Sequence, residues 1–182
     1  MDYLLLLRGI NVGGKHRVPM AELRDYLTTA GFTYVRSYIN SGNLLVTSDQ
    51  PQADCETTIQ HVLTSHFDFP LPFRLLARPE FLTDLAQAPA WWGVDDQLRH
   101  NALFKLNDYA SANDTWLIDH VTADYDQVVV TPNVIFWTST LKRHFSRSFY
   151  SKIMGTPLYQ QTSTRNYNTT MKLKQLLEAS HD

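Results

Sequence analysis

Gly9 to Lys15 reads G-I-N-V-G-G-K, seven of the eight positions of a nucleotide-binding P-loop. The eighth position needs a Ser or Thr hydroxyl for Mg²⁺ and holds His16 instead. In a P-loop the helix opens at the Gly-Lys pair, so that its first N–H groups meet the phosphates. Here Pro19 is the residue suited to a first helical turn, four positions after Lys15. No clear strand ending in a carboxylate supplies a second metal ligand. Nucleotide hydrolysis is therefore not expected. Two readings of the glycines stay open. They form a nest of backbone N–H groups facing an anion, or they serve a tight turn that needs positive φ.

A second polar cluster is "TSTRNYNTTMKL", residues 162 to 173. Asn166, Asn168 or Thr169 can cap a final helix, with Leu173, Leu176 and Leu177 as its apolar stripe. Arg165 stands just before that helix. Its planar guanidinium suits bidentate contact with carboxylate or phosphate, while the cluster also reads as a well-capped helix start.

These loops need elements to position them. "YLLLL" (3–7) is a short apolar strand of the kind found at a sheet centre. After Pro19, Met20, Leu23, Leu27 and Ala30 share one helical face, and Gly31 closes it. Residues 32–39 alternate as a strand, "NSGN" (40–43) turns, and 44–48 returns. Pro51 opens a helix with Cys55, Ile59, Val62 and Leu63 on one side, and 71–77 is a fourth strand. That order is β-α-β-β-α-β, the ferredoxin-like arrangement.

A helix over 79–88 follows, then a looser repeat. It has a strand at 101–106, a helix at 108–119 and a hairpin around Thr131-Pro132. Helices near 147–154 and over 169–180 complete it. The expectation is an α+β fold of two related subdomains, the first ferredoxin-like and the second an incomplete similar copy, spanning 1–78 and 79–182.

With right-handed crossovers, the end of the first strand lies at the same sheet edge as the 40–43 turn. The candidate site residues there are Arg8, Asn11, Gly13, Gly14, Lys15, Asn40, Ser41 and Asn43. Arg165, Asn166 and Asn168 join them in a reading that sets a small phosphorylated or carboxylated anion between the subdomains.

Charge has two readings: contact with an anionic partner, or a basic solvated face that pairs with the acidic middle of the same chain. Residues 49–126 carry four bases and 13 acids, whereas 127–177 carry seven bases and no acid. Phe145, Phe149, Tyr150, Tyr159 and Tyr167 interleave with those bases. This is the basis of the alternative, a module that stacks single-stranded nucleic acid. No RNP-type strand accompanies it, and a pI near 6.4 is low for that class.

Other chemistries find little footing. The seven His residues, His181 included, show no metal-ligand spacing, and no G-x-S-x-G elbow is present. Cys55 is alone and on an apolar face. No catalytic residue stands out, and no metal or cofactor is expected. Without a spanning segment or a basic leader, the chain is expected to be cytoplasmic.

The segment "LLLLRGINVGGKHRVPMAELRDYLTTAGFTYVRSYINSGNLLV" resembles the N-terminal signature of the bacterial family catalogued as domain of unknown function 1697. "TSTRNYNTTMKLKQLLE" is similar to that family's C-terminal T-x-R-N-W-N-T segment, with Tyr167 where Trp is usual. The matching positions are Arg8, Gly9, Asn11, Val12, Gly13, Gly14, Ser41, Gly42, Asn43, Arg165, Asn166 and Asn168. The resemblance implies a cytoplasmic bacterial protein of two α+β subdomains and carries no established reaction.

Overall fold

The computed structural model describes residues 1–140 and 143–179. Lys142, Ser180 and His181, which figure in the sequence reading, lie outside the described residues. The fold is mixed α+β, with two four-stranded antiparallel sheets and helices, consistent with two related ferredoxin-like subdomains. Two compact units emerge. One is Met1–Phe81 with the end of the last helix from Leu173, and the other is Leu82–Lys172.

The first unit runs β1 (Asp2–Leu7), α1 (Met20–Thr29), β2 (Thr33–Tyr38), β3 (Asn43–Thr47), α2 (Gln52–His66) and β4 (Phe73–Ala77). Its sheet order is β2-β3-β1-β4. β1 pairs on both edges, with β3 and with β4, and Leu4 to Leu7 are fully buried. A strand so enclosed reads as a continuous apolar run rather than an alternating one. The α1 stripe of Met20, Leu23 and Leu27 and the α2 stripe of Cys55, Ile59, Val62 and Leu63 join Leu5, Leu7, Leu44 and Leu75 in one core. α1 begins one residue after Pro19, which sits at the cap position. β2 forms a sheet edge and its register shifts between Thr33 and Arg36, a break that blunts edge-to-edge pairing.

α3 (Arg78–Ala86) leads into β5 (Leu98–Lys105), α4 (Ala112–His120), β6 (Asp126–Val130) and β7 (Val134–Thr140). Two 3₁₀ turns, α5 (Pro157–Gln160), β8 (Thr162–Asn166) and α6 (Tyr167–Glu178) follow. The second sheet has the order β6-β7-β5-β8, the same permutation with β5 in the place of β1.

The copy is complete in its strands and incomplete in its second helix. Where α2 stands in the first unit, the second has the turns Phe145–Arg147 and Phe149–Lys152 and the four-residue α5. The helix expected near 147–154 is absent because a carboxylate far away in sequence holds the chain. The Asp126 carboxylate, 4% exposed, accepts from the backbone N–H groups of Phe149 and Tyr150 and from the Ser148 hydroxyl. Those donors are held by a distant strand, which fixes the chain in tighter 3₁₀ turns.

β8 is the element the sequence reading lacks. Its residues T-S-T-R-N give no apolar alternation, yet Thr162, Ser163 and Arg165 are buried and the strand pairs with β5 over five residues.

A half-buried ion pair, with Lys105 as its buried member, closes the β5–α4 connection. Lys105 Nζ donates to Asp114 Oδ2 at 2.9 Å and to the Thr131 carbonyl at 2.8 Å. Tyr109 donates to the other Asp114 oxygen at 2.6 Å. Burial first, and then the Asp114 carboxylate, hold the Tyr109 hydroxyl protonated far above the usual phenol range. Asp114→Ala strands the Lys105 ammonium and is expected to cost about 3 kcal/mol in urea unfolding. A loss below about 0.5 kcal/mol contradicts this role for the pair.

Candidate functional site

The chain leaving β1 makes two backbone bonds that set the local geometry. Leu7 N–H donates to Gly42 O at 2.8 Å, and Arg8 N–H to Pro72 O at 2.9 Å. The connection after β1 is thereby pinned between the 40–43 turn and the segment entering β4.

Beyond Arg8 the chain folds on itself. Asn11 N–H donates to His16 O, and Lys15 N–H to Val12 O, both at 3.1 Å, with Val12 and Lys15 bridged. Gly13 and Gly14 are the two central residues, at φ +60° and +73°. Positive φ at both positions is the requirement of a tight hairpin turn. Residues 11–17 are all exposed, whereas Ile10 and Val18 at the base are buried. His16 stacks on Phe69 with ring centroids 4.7 Å apart, and its Nδ1 lies 3.3 Å from Gly9 O.

Asn11 is the clamp. Its Nδ2 donates to Val18 O at 3.0 Å and to Asn40 O at 2.8 Å, and its Oδ1 accepts from Val18 N–H at 2.9 Å. One amide thus closes the hairpin base and ties it to the turn. In that turn Asn43 is fully buried and donates to Tyr38 O and Ser41 Oγ. Gly42 has φ +80°, and a Cβ there would lie 2.7 Å from the Leu7 Cβ. The structure therefore brings Arg8, Asn11, Gly13, Gly14, Lys15, Asn40, Ser41 and Asn43 into one loop pair in the first unit.

Left-handed backbone concentrates here: Gly9, Asn11, Gly13, Gly14, His16, Ile39 and Gly42 all have positive φ. Ile39, at φ +50°, is the costliest, because a β-branched side chain fits that region poorly. No sequence signal marked Ile39 or the His16–Phe69 stack, since both depend on contacts made by distant segments.

Together the two loops carry bases and no acid. Residues 3–21 and 26–48 contain no carboxylate. Lys15 and Arg17 are exposed, and neither enters an ion pair among the described residues. The 67–72 segment contributes one acid, Asp68, which is likewise exposed and outside any such pair. The Gly13 and Gly14 N–H groups meet no acceptor among the described residues. As the backbone N–H groups of Asn11 and Lys15 are used within the hairpin and α1 starts only at Met20, the loop has no P-loop geometry.

Arg165, Asn166 and Asn168 belong to the second unit. Asn166 caps α6 by accepting from Thr169 N–H at 2.8 Å, and Asn168 is exposed. Arg165 Nη1 donates to Ser163 Oγ at 2.8 Å and to Thr164 O at 2.9 Å. Burial lowers its guanidinium pKa to about 10.

The two kinds of glycine predict different costs. Gly42→Ala meets both a backbone penalty and a steric one, and is expected to lose more than about 2 kcal/mol. Gly13→Ala has open space around its Cβ and loses only about 1 kcal/mol from positive φ. Equal losses in urea unfolding contradict the packing role of Gly42.

The family described as "Protein of unknown function (DUF1697)" matches residues 1–136. No curated protein matches. Among solved structures, the conserved bacterial protein SP0830 from Streptococcus pneumoniae is similar at 34% sequence identity and a TM-score of 0.89. That likeness covers 97% of this chain and 98% of the pneumococcal chain, so it reaches beyond residue 136 to the C-terminal segment. With its first three strands, the glycine hairpin and the 40–43 turn all inside the matched span, the chain belongs to the DUF1697 family.

Proposed function

We propose that the hairpin of residues 11–17 and the 40–43 turn receive a small phosphorylated or carboxylated molecule. The observation that carries this is a difference between the two copies of the fold. In the second unit, Lys105 N–H donates to Asn133 O and Leu106 N–H to Gln161 O, the counterparts of the Leu7–Gly42 and Arg8–Pro72 bonds. From that shared anchor the second unit reaches its helix through six residues, 106–111, whereas the first uses twelve, 8–19. The crossover itself does not need the additional six, and they match the length of the exposed hairpin Asn11–His16. A loop longer than its connection requires, clamped by Asn11 to a turn that follows the strained Ile39, fits a binding element better than a linker.

Gly13 and Gly14 supply N–H groups, Lys15 and Arg17 supply charge, and Asn11 and Asn43 hold the frame. The reading draws only on the first unit. The aromatics behind the nucleic-acid alternative are engaged in packing: Phe149 and Tyr150 lie against Trp137, and Tyr167 against Trp92. The small-anion reading is therefore carried forward.

A thermal-shift screen tests it, with sugar phosphates, dicarboxylates and short single-stranded oligonucleotides at low and moderate salt. One small anion should stabilise the protein, by about 2.7 kcal/mol at 100 times its Kd. In Lys15→Ala/Arg17→Ala that binding should weaken at least about tenfold while the unliganded Tm stays unchanged. No response to any small anion, or equal affinity in the variant, contradicts the reading. A response to oligonucleotides alone that fades steeply with salt transfers support to the alternative.

A further inference from the structure

We propose a separate oxyanion-binding site in the second unit, formed by Arg99 and Ser139 beneath the 3₁₀ segment. It takes a phosphate or carboxylate group. Arg99 on β5 and Ser139 on β7 stand directly opposite in register, so their side chains share one face of the sheet. Ser139 is 1% exposed, and its hydroxyl has no hydrogen-bond partner among the described residues. The Arg99 Nε is also buried without a partner. Two such groups on facing residues call for an explanation, because buried polar atoms are otherwise satisfied almost throughout native proteins.

The nearby carboxylate does not supply it. Asp126 on β6 is the other in-register neighbour of Ser139. It accepts from Trp137 Nε1 at 2.9 Å, Ser148 Oγ at 2.7 Å, Phe149 N–H at 2.7 Å and Tyr150 N–H at 3.3 Å. Those four donors fill the roughly four lone-pair sites of a carboxylate. Asp95 and Asp96, which precede β5, accept from Gln97 instead.

The guanidinium is shaped for a ligand. It lies over the Phe145 ring at 4.9 Å and the Tyr150 ring at 5.5 Å, and it joins no ion pair among the described residues. The guanidinium keeps N–H donors for a further acceptor beside those rings. Tyr150 is held by a bond from Asn101 Nδ2 at 2.8 Å and by the Asp126 anchor on its backbone. Arg99 and Phe145 are half-buried, while the facing Ser139 is fully buried. Arg offers only donors and Ser a rotatable O–H, and that pair matches a group rich in acceptors. Arg143 and Arg147 follow in an acid-free stretch and add positive charge to this part of the chain.

Calorimetric titration with inorganic phosphate, and separately with a dicarboxylate, tests the site. The titration uses the Lys15→Ala/Arg17→Ala protein, so that hairpin binding is weakened, and only binding that responds to Arg99 or Ser139 counts for this site, which lets the two proposals fail independently. One phosphate or one carboxylate group should bind. Adding Arg99→Gln or Ser139→Ala should weaken binding at least about tenfold. Ser139→Ala removes only an unpartnered hydroxyl and should keep the near-UV circular dichroism of the parent, which guards against misfolding. Absence of binding by both probes, or unchanged affinity in Ser139→Ala, overturns the assignment.

Discussion

Two-sided pairing of the central strands is the constraint on which the rest depends. β1 in one unit and β5 in the other bond to neighbours on both edges. A strand in that position has both backbone edges bonded, so its register is fixed from two sides; β1 is apolar along Leu4–Leu7, whereas β5 is apolar only over Ala102–Phe104. At the strand's last residue and the one after it, two N–H groups still need acceptors. In each unit they find them in the turn of the adjacent hairpin and in the segment entering the last strand. Those two bonds bring three connecting segments to one end of the sheet.

Given that frame, each unit does something different with the same place. The second fills it with its own charges: Lys105, Asp114 and the Thr131 carbonyl form a closed set, with Tyr109 on the carboxylate. In the first, the position equivalent to Lys105 is Leu7, which is buried in the core. Its polar groups lie further out, on a hairpin that carries bases and no acid. The second helix shows the reverse asymmetry. α2 is regular in the first unit, while Asp126 draws the corresponding chain of the second unit into 3₁₀ turns over Arg99.

The first unit was almost wholly legible in the sequence, because each of its elements carries its own local signal. The Leu4–Leu7 run, the stripes of α1 and α2 and the N-S-G-N turn state their environments within a few residues. The second unit was harder wherever a distant partner decides the outcome. β8 is buried through Thr, Ser and Arg, so no hydrophobic period announces it. The 3₁₀ turns depend on Asp126, more than twenty positions upstream in an apparently ordinary acidic stretch. At the loop pair, the glycines and Asn11 were visible as types. The clamp from Asn11 to Asn40 and the strain at Ile39 appear only once the two loops meet. Ser139 and Arg99 carried no signal at all, as a lone Ser and a lone Arg on strands usually mean nothing.

The central claim is that the glycine hairpin is an addition to a crossover complete without it. Its most direct test, made in the Arg99→Gln/Ser139→Ala protein so that the second unit's proposed site is disabled, removes Asn11–His16 and joins Ile10 to Arg17. This restores the six-residue connection of the second unit. Urea unfolding should remain a single cooperative transition, lowered by no more than about 2 kcal/mol for the lost Asn11 bonds, and stabilisation by the small anion should disappear. Loss of cooperative folding, or anion binding that survives the excision, would contradict the account.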